Sequence, residues 1–296
     1  MKIGFIGLGR MGYSLACSLL RNKQPVVAFD INKEVTQKIQ SQGAVVAGTI
    51  ADLCQKVDVV LTMLPGPKEV MQVVTMKGGI LDSLPAGSIF LDLSTVDVKT
   101  VDKLSALSSA KGIVFGDAPV GRLAAHADRG ESLFMLGIEQ KMRSTVESLL
   151  YKMGTTVIYC GEAGAGVRTK LINNLMVLSY CQINSEALVL AKALGLDIER
   201  LFQVLTSTTA VNGQLKEKWP EKVLAGDLTP GFNLSLGLKD LTLACQSAKD
   251  KNITLAVGEV ARESMSQAAE SGYSDKDTSS LTDFWATKNG IGFIRL

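Results

Sequence analysis

The stretch Gly7-Leu8-Gly9-Arg10-Met11-Gly12 decides the fold of this chain. It follows an apolar run at residues 3–6 and precedes a helical pattern at residues 13–20. A second apolar run, at residues 25–29, ends on Asp30. This order of strand, glycine-rich turn, helix, strand and acid predicts a βαβ unit that binds a dinucleotide.

Each glycine of the turn has its own predicted role in cofactor binding. Gly7 permits the tight turn, Gly9 lets the backbone approach a pyrophosphate, and Gly12 lets the helix pack against the strand. The helix N-terminus supplies unpaired N–H groups and the positive end of a dipole. We therefore assign these glycines, with Arg10 and Met11 between them, to the cofactor site.

Asp30 indicates which dinucleotide binds. Its carboxylate is placed to accept hydrogen bonds from the adenosine ribose hydroxyls and would repel a 2′-phosphate. Asn32 stands where an NADP site often has an arginine. These residues favour NAD(H), and the alternative is that Lys33 supplies enough positive charge for NADP(H) as well.

Composition and charge exclude several classes of protein. The 296 residues are 46% hydrophobic and 20% charged with a net charge of +2, which argues against binding to nucleic acid or an anionic membrane surface. No apolar run approaches the roughly 18 residues of a membrane span, and no signal leader precedes the first strand. We expect a cytoplasmic protein.

Cysteine and histidine usage adds little chemistry. The five cysteines are scattered, which predicts reduced, buried thiols. The single histidine, His126, excludes a His-rich metal site, and we expect no metal. It lies in a polar stretch, so we interpret it as a loop residue rather than a catalytic one.

Strand and helix patterns divide the chain into two predicted domains. Apolar runs at 57–64, 88–92, 112–117, 132–137 and 156–160 alternate with helical patterns and predict a doubly wound parallel sheet. Residues 1–162 would form this α/β, Rossmann-type NAD-binding domain. A long interdomain helix at about 164–193 would open an all-helical C-terminal domain at 163–296.

Four ordered motifs span the chain: Gly7 to Gly12, Asp117-Ala118-Pro119-Val120, Gly164-x-Gly166-x-x-x-Lys170-x-x-Asn173-Asn174, and Leu238-Lys239-Asp240-Leu241. With them the whole sequence resembles the β-hydroxyacid dehydrogenase family, which includes 3-hydroxyisobutyrate dehydrogenases. The resemblance implies a nicotinamide-dependent oxidoreductase.

Lys170 is the candidate catalytic residue. Reduction of an aldehyde needs a proton donor at the carbonyl oxygen, and an ammonium can both polarise the carbonyl and donate the proton. The matching family lysine is catalytic, and the asparagine beside it touches substrate. The resemblance thus assigns Asn173, Asn174 and Val177 to substrate binding, whereas from residue type alone Lys170 could be a solvated helix lysine.

The second motif departs from the family. Most members follow Ala-Pro-Val with Ser-Gly-Gly, which grips a substrate carboxylate, whereas this chain has Gly121-Arg122-Leu123. A guanidinium offers several donors to a tetrahedral oxyanion. This Gly-Arg form resembles the subgroup of sulfoglycolysis enzymes that reduce 3-sulfolactaldehyde to 2,3-dihydroxypropane-1-sulfonate with NADH. Arg122 could also bind a carboxylate, or be an inert surface residue.

The remaining candidates rest on the resemblance. Leu64, Pro65 and Thr95 follow strand ends, where open α/β sheets bind ligands, and Lys239 matches a family lysine that approaches the cofactor. Lys239 could instead be solvated. Trp219 and Phe232 could line the substrate pocket or pack in a core.

The predicted function is NADH-dependent reduction of 3-sulfolactaldehyde, with the proton from Lys170. The first alternative is the same chemistry on a small carboxylate: tartronate semialdehyde, succinic semialdehyde (giving 4-hydroxybutyrate) or 3-hydroxyisobutyrate. The second is a non-catalytic NAD-binding module. The expected partners are a small anionic aldehyde and further copies of the chain, in a homodimer or homotetramer.

Overall fold

The computed structural model describes all 296 residues. The chain forms two compact units, Met1–Lys170 and Leu171–Leu296. The predicted boundary between residues 162 and 163, ahead of the long helix, stays a prediction.

The first unit is built on one nine-stranded sheet. Eight strands are hydrogen-bonded in the order β3-β2-β1-β4-β5-β6-β8-β7, and the ninth, β9, pairs with β8. The strands are β1 (Ile3–Ile6), β2 (Val26–Phe29), β3 (Val45–Val46), β4 (Val59–Thr62), β5 (Ile89–Asp92), β6 (Val114–Asp117), β7 (Val120–Gly121), β8 (Ser132–Gly137) and β9 (Gly154–Gly161). Strands β1 to β6 pair in parallel, whereas β8 is antiparallel to β6 and β7.

The predicted α/β class is confirmed, and the register explains the sequence pattern. Ile3 of β1 pairs with Val26 on one side and Val59 on the other, so β1 is a central strand. Strands β1, β4 and β5 are buried along their whole length, as a parallel sheet covered on both faces requires. Two-residue strands β3 and β7 were not predicted, because two residues carry no periodicity.

The first unit contains eight whole α-helices and a 3₁₀ helix at Gln140–Met142. The α-helices are α1 (Arg10–Arg21), α2 (Lys33–Ser41), α3 (Ile50–Cys54), α4 (Pro67–Thr75), α5 (Ile80–Ser83), α6 (Val98–Ala110), α7 (Ala124–Asp128) and α8 (Arg143–Leu150). Two expectations are wrong here. His126 lies on α7 rather than in a loop, and Cys160 is only half-buried whereas the other four cysteines are buried. Residues 124–128 contain three alanines, the best helix formers, and the polar residues around them concealed this short helix.

The long helix α9 (Ala165–Ala193) has 29 residues and is followed by α10 (Ile198–Ser207), α11 (Leu234–Lys249), α12 (Ala256–Ala268) and α13 (Leu281–Lys288). These helices confirm the predicted helical C-terminal region. No helix of the chain combines the length and apolar character that a membrane span needs.

Trp219 and Phe232 belong to the core of the second unit. Trp219 is fully buried and its indole Nε1 donates to Thr282 Oγ1 at 3.1 Å, while the partly buried Phe232 packs against the same core. Core packing therefore accounts for Trp219, since its only polar atom is satisfied within the unit.

Candidate active site

The glycine-rich turn has one crowded side and one open side. Gly7 has φ +95°, and a Cβ there would overlap the Met63 carbonyl. A Cβ at Gly12 would overlap the Gly7 carbonyl, whereas a Cβ at Gly9 would meet no atom within 4 Å. Packing thus requires glycine at the first and third positions, while Gly9, at the N-cap of α1, leaves room for a ligand.

Asp30 holds this turn from the neighbouring strand. Its Oδ2 accepts a hydrogen bond from Leu8 N at 2.6 Å, and its Oδ1 accepts one from Asn32 N at 2.8 Å. Each carboxylate oxygen retains acceptor capacity for a further hydroxyl. The open turn, the helix N-terminus and this acid together fit a dinucleotide with its pyrophosphate at α1.

The carboxyl ends of β4 and β5 are tied together beside that turn. Asp92 is fully buried, and its Oδ1 accepts from Thr62 Oγ1 at 2.7 Å and from Ser94 N at 3.1 Å. Ser94 Oγ in turn accepts from Leu64 N at 2.9 Å. These bonds fix the strand ends that carry Leu64 and Thr95, two of the predicted cofactor residues.

Three further predicted cofactor residues, Pro65 after β4 and Arg10 and Met11 on α1, differ in their surroundings. Pro65 is exposed, and Met11 is half-buried against the core of the unit. Arg10 makes a bidentate ion pair with Asp128 of α7, and Ser14 Oγ donates to the same carboxylate at 2.5 Å. The Arg10 guanidinium lowers the pKa of Asp128 to about 2.

Lys170 contacts the segment Val120-Gly121-Arg122, which contains two of the predicted substrate-binding residues. Its Nζ donates a hydrogen bond to the Val120 carbonyl at 2.8 Å, one residue before Gly121. Lys170 is half-buried near the start of α9, and Gly121 is buried in β7. The structure therefore brings the predicted proton donor next to the Gly121-Arg122 pair, although 50 positions separate Lys170 from Val120 in the chain.

Arg122 has φ +67°, a backbone conformation that favours glycine. Its exposed guanidinium donates from Nη1 to Glu131 O at 2.6 Å and to Thr155 Oγ1 at 3.1 Å, and from Nη2 to Thr156 Oγ1 at 3.4 Å. The side chain thus rests against β9 and the residue that precedes β8.

The second unit links four of the motif residues through two hydrogen bonds and one ion pair. Asn173 Nδ2 donates to Asn174 Oδ1 at 2.9 Å, and Asn174 Nδ2 donates to Asp240 Oδ2 at 2.6 Å. Lys239 Nζ lies 3.0 Å from Asp240 Oδ1. Asn174 and Asp240 are buried whereas Asn173 is exposed, so Asp240 orients Asn174 and leaves Asn173 the more accessible amide.

Val177 lies one turn after Asn173 on α9 and is half-buried. Two residues of this region were missed as candidates or given too little weight. Asp117 was quoted only as part of a motif, yet its carboxylate contacts the start of α9. Asp240 likewise stood only within a motif, and nothing in the sequence beyond its position beside Lys239 indicated its contacts with Asn174 and Lys239.

The fold and the cofactor turn define the class of protein as an NAD(P)-dependent dehydrogenase or reductase. Residues 2–161 match the NAD binding domain of 6-phosphogluconate dehydrogenase, and residues 164–285 match the NAD-binding domain of NADP-dependent 3-hydroxyisobutyrate dehydrogenase. The chain belongs to the 3-hydroxyisobutyrate dehydrogenase-like β-hydroxyacid dehydrogenase family.

Individual relatives cover nearly the whole chain. It is 36% identical over 283 residues to 3-sulfolactaldehyde reductase of Escherichia coli K12, covering 95% of this chain and 94% of that protein. It is 32% identical to the mitochondrial 3-hydroxyisobutyrate dehydrogenase of Rattus norvegicus, covering 95% and 86%.

Among solved structures, the Mycobacterium tuberculosis 3-hydroxyisobutyrate dehydrogenase with L-serine superposes with a TM-score of 0.90 at 29% identity, covering 96% of this chain and 98% of that one. The substrates in the names of the two relatives differ in their acidic group, which is a sulfonate in 3-sulfolactaldehyde and a carboxylate in 3-hydroxyisobutyrate. The comparisons therefore establish the reaction class but not the substrate.

Proposed function

We propose that this protein reduces 3-sulfolactaldehyde to 2,3-dihydroxypropane-1-sulfonate with NADH, as in sulfoglycolysis. The observation that carries the proposal is the contact between Lys170 Nζ and the Val120 carbonyl, which places an ammonium beside Gly121 and Arg122. The relationship to 3-sulfolactaldehyde reductase supports the choice of substrate.

Lys170 is the proposed proton donor. On substrate binding, its ammonium would exchange or share its bond to the Val120 carbonyl with the aldehyde oxygen, polarise that carbonyl and donate a proton as the alkoxide forms. The bound nicotinamide supplies the hydride. Because Lys170 is half-buried, solvent can return a proton to its Nζ after turnover.

Arg122 is the proposed group that recognises the sulfonate, with Gly121, Asn173, Asn174 and Val177 as further substrate residues. The three bonds of its guanidinium leave two of five N–H donors for a ligand, enough for two oxygens of a tetrahedral sulfonate. The strained backbone supports the role, because strain of this kind clusters at functional sites.

We propose NAD(H) as the preferred cofactor. Gly7, Gly9, Arg10, Met11 and Gly12 would hold the pyrophosphate side, and Asp30 the ribose. Leu64, Pro65, Thr95 and Lys239 are the other proposed cofactor residues. The Asp30 carboxylate already accepts two backbone N–H groups, so it is fixed where a 2′-phosphate would meet its charge. A clearly higher kcat/KM with NADH than with NADPH is expected.

The alternative substrate is a small carboxylate semialdehyde or 3-hydroxyacid. It is favoured by the 3-hydroxyisobutyrate dehydrogenase relatives and by the ability of arginine to bind a carboxylate with two parallel bonds. A non-catalytic NAD-binding module is disfavoured, since Lys170 is present and lies beside the substrate segment.

Assembly into a homodimer or homotetramer is also proposed. An apolar stripe on α9, formed by Ile172, Met176, Ile183 and Leu190, is exposed by 51% to 61% at each residue. Exposed apolar surface of this kind is typical of association sites. The five free cysteines support the expected cytoplasmic setting.

The test combines a substrate panel with Lys170 variants. NADH consumption should be faster with 3-sulfolactaldehyde than with tartronate or succinic semialdehyde. Lys170→Ala should lower kcat by about 10² to 10⁴ while NADH binding, followed by nicotinamide fluorescence, is retained.

Lys170→Arg is the matched control, because it keeps the charge but holds its proton too tightly to donate it. It should bind substrate yet turn over slowly. Near-normal turnover of Lys170→Ala would remove the lysine from the reaction, and a preference for tartronate semialdehyde would select the carboxylate alternative.

A further inference from the structure

Asp117 is a buried carboxylate at the carboxyl end of β6, fully shielded from solvent. Its Oδ1 accepts a hydrogen bond from Gly164 N at 2.5 Å, and its Oδ2 accepts one from Val167 N at 2.5 Å. These two amides lie just before and within the first turn of α9, where helices leave N–H groups without internal partners. One side chain therefore satisfies two of them.

Two glycines make room for this carboxylate. A Cβ at Gly137 of β8 would overlap Asp117 Oδ1, and a Cβ at Gly166 of α9 would lie 2.9 Å from Asp117 Oδ2. The carboxylate is therefore enclosed by backbone from β8 and α9. Its position is determined by packing as well as by hydrogen bonds.

Residues 117–120 contact α9 at a second point besides the Asp117 carboxylate. Three residues on, the Val120 carbonyl accepts the hydrogen bond from Lys170 Nζ. Lys170 itself follows Val167 by three positions, about one helical turn. Residues 117–120 thus bind the first turn of α9 through Asp117 and the next turn through Val120.

We propose that Asp117 is a positioning residue for Lys170, an inference that rests on the proposed function. Because its carboxylate fixes the start of α9, it sets the axial position and the rotation of the helix at Lys170. It thereby determines where the Lys170 ammonium lies beside Gly121. Two acceptor oxygens are required because two amides converge, and an asparagine offers only one.

Burial also changes the acidity of the Asp117 carboxyl group. Burial raises the pKa of Asp117 to about 7, although the hydrogen bonds from the Val167 and Gly164 amides lower it. Asp92, its partner on β5, raises it further, and Arg168 on α9 lowers it. Burying a carboxylate without an ion-pair partner is costly, and the hydrogen bonds from the Gly164 and Val167 amides offset part of that cost.

Asp117→Asn tests the inference, and Asp102→Asn is the control. Asp102 also contacts the first turn of α9, through an exposed ion pair between its Oδ1 and Arg168 Nη2 at 2.6 Å. We expect Asp117→Asn to lower kcat by roughly 10-fold to 100-fold, because small displacements of a catalytic group are costly. NADH affinity should stay within about threefold, and Asp102→Asn should stay within about twofold in kcat.

The decisive readout is the double variant with Lys170→Ala. If Asp117 acts through Lys170, the double variant should have the kcat of Lys170→Ala alone, within about twofold, since the effects of residues that act as a unit do not add. Losses that multiply, a parallel loss of NADH binding, or a near-normal kcat for Asp117→Asn would each overturn the inference.

The two proposals fail differently. Normal turnover in Lys170→Ala overturns the proposed function, whereas a disabled Lys170→Ala with an active Asp117→Asn overturns only the positioning role. Should Asp117→Asn not fold, amide hydrogen exchange of the wild-type protein decides. Gly164 and Val167 amides should be protected as strongly as the sheet core, and unprotected exchange there would contradict the anchoring contact.

Discussion

Two turns of the first unit share an unusual backbone and differ in the residue that adopts it. Gly7 follows β1 with φ +95°, and Arg122 follows β7 with φ +67°. Gly7 has no side chain to strain, whereas a side chain in the left-handed region costs about 1 kcal/mol or more. At Arg122 that cost is opposed by three hydrogen bonds from the guanidinium.

The two turns differ in what their backbone conformation requires: packing demands a glycine at Gly7 but does not demand an arginine at Arg122. At Gly7 the space for a Cβ is taken by the Met63 carbonyl, so glycine is required for folding. At Arg122 a glycine would adopt the same backbone conformation without strain, at the loss of the three guanidinium hydrogen bonds. The backbone of this turn therefore does not require an arginine, and the guanidinium, with two N–H donors left over, supports the proposed role in substrate recognition.

The largest effect expected from this comparison concerns the first turn. Gly7→Ala combines a strained φ with overlap of the Met63 carbonyl, so it should lower the free energy of unfolding by about 3 kcal/mol or more. Urea denaturation measures this. The matched control is Gly9→Ala, whose Cβ meets nothing within 4 Å and which should cost about 1 kcal/mol or less as a poorer N-cap.

The same pair separates folding from binding. In Gly9→Ala the new methyl occupies the open side of the turn, so NADH affinity should fall about tenfold or more in a stable protein, a cost of roughly 1.4 kcal/mol. Equal destabilisation of both variants would contradict the assignment of the crowded and open sides. Unchanged NADH affinity in Gly9→Ala would show that no pyrophosphate approaches there.

The first turn could be predicted from sequence and the second could not. Residues 3–30 carry their signal locally, because strand, turn, helix and acid follow one another within a single βαβ unit. The partners of Arg122 lie 9, 33 and 34 positions away, so neither its backbone angle nor its side-chain contacts leave a local pattern.

The candidate site divides in the same way. Lys170 could be selected by its chemistry and its motif, but the Val120 carbonyl that receives its hydrogen bond is brought near only by tertiary folding. The anchoring of α9 by Asp117 joins residues 47 and 50 positions apart. An acid at the end of a buried strand was the one available signal for that contact.

The second prediction concerns Arg122. Arg122→Gly should lower kcat/KM for 3-sulfolactaldehyde by about 30-fold or more, because a charged partner of the sulfonate is removed. Its effect on stability should be within about 1 kcal/mol, since relief of strain offsets the lost hydrogen bonds and the freer unfolded chain. Steady-state kinetics and urea denaturation on the same variant give both quantities.

Arg129→Ala is the control for this prediction. Arg129 is an exposed cation seven residues away that pairs with Glu131. If general positive charge attracts the substrate, both arginine variants should lose activity alike. A loss confined to Arg122→Gly supports direct recognition, whereas equal losses on sulfonate and carboxylate substrates would remove Arg122 as the residue that selects between them.

The smallest expected effect concerns the link between the two turns. Arg10 of α1 pairs with Asp128 at the end of α7, the helix that follows Arg122, so this ion pair joins α1 to α7. The side chains are 64% and 43% exposed. Solvent screens such a pair, and Asp128→Asn should therefore lower the free energy of unfolding by less than about 1 kcal/mol.

The pH dependence of that difference is the sharper test. Arg10 depresses the pKa of Asp128 from 3.8 to about 2, so the stabilisation is present above pH 3.8 and is lost as the pH falls through 2. The gap between wild type and Asp128→Asn should thus be constant from neutral pH to about pH 4 and close toward pH 2. A gap that is undiminished at pH 2 would mean that Asp128 stabilises the protein through packing, and α1 and α7 would then be coupled by contact rather than by charge.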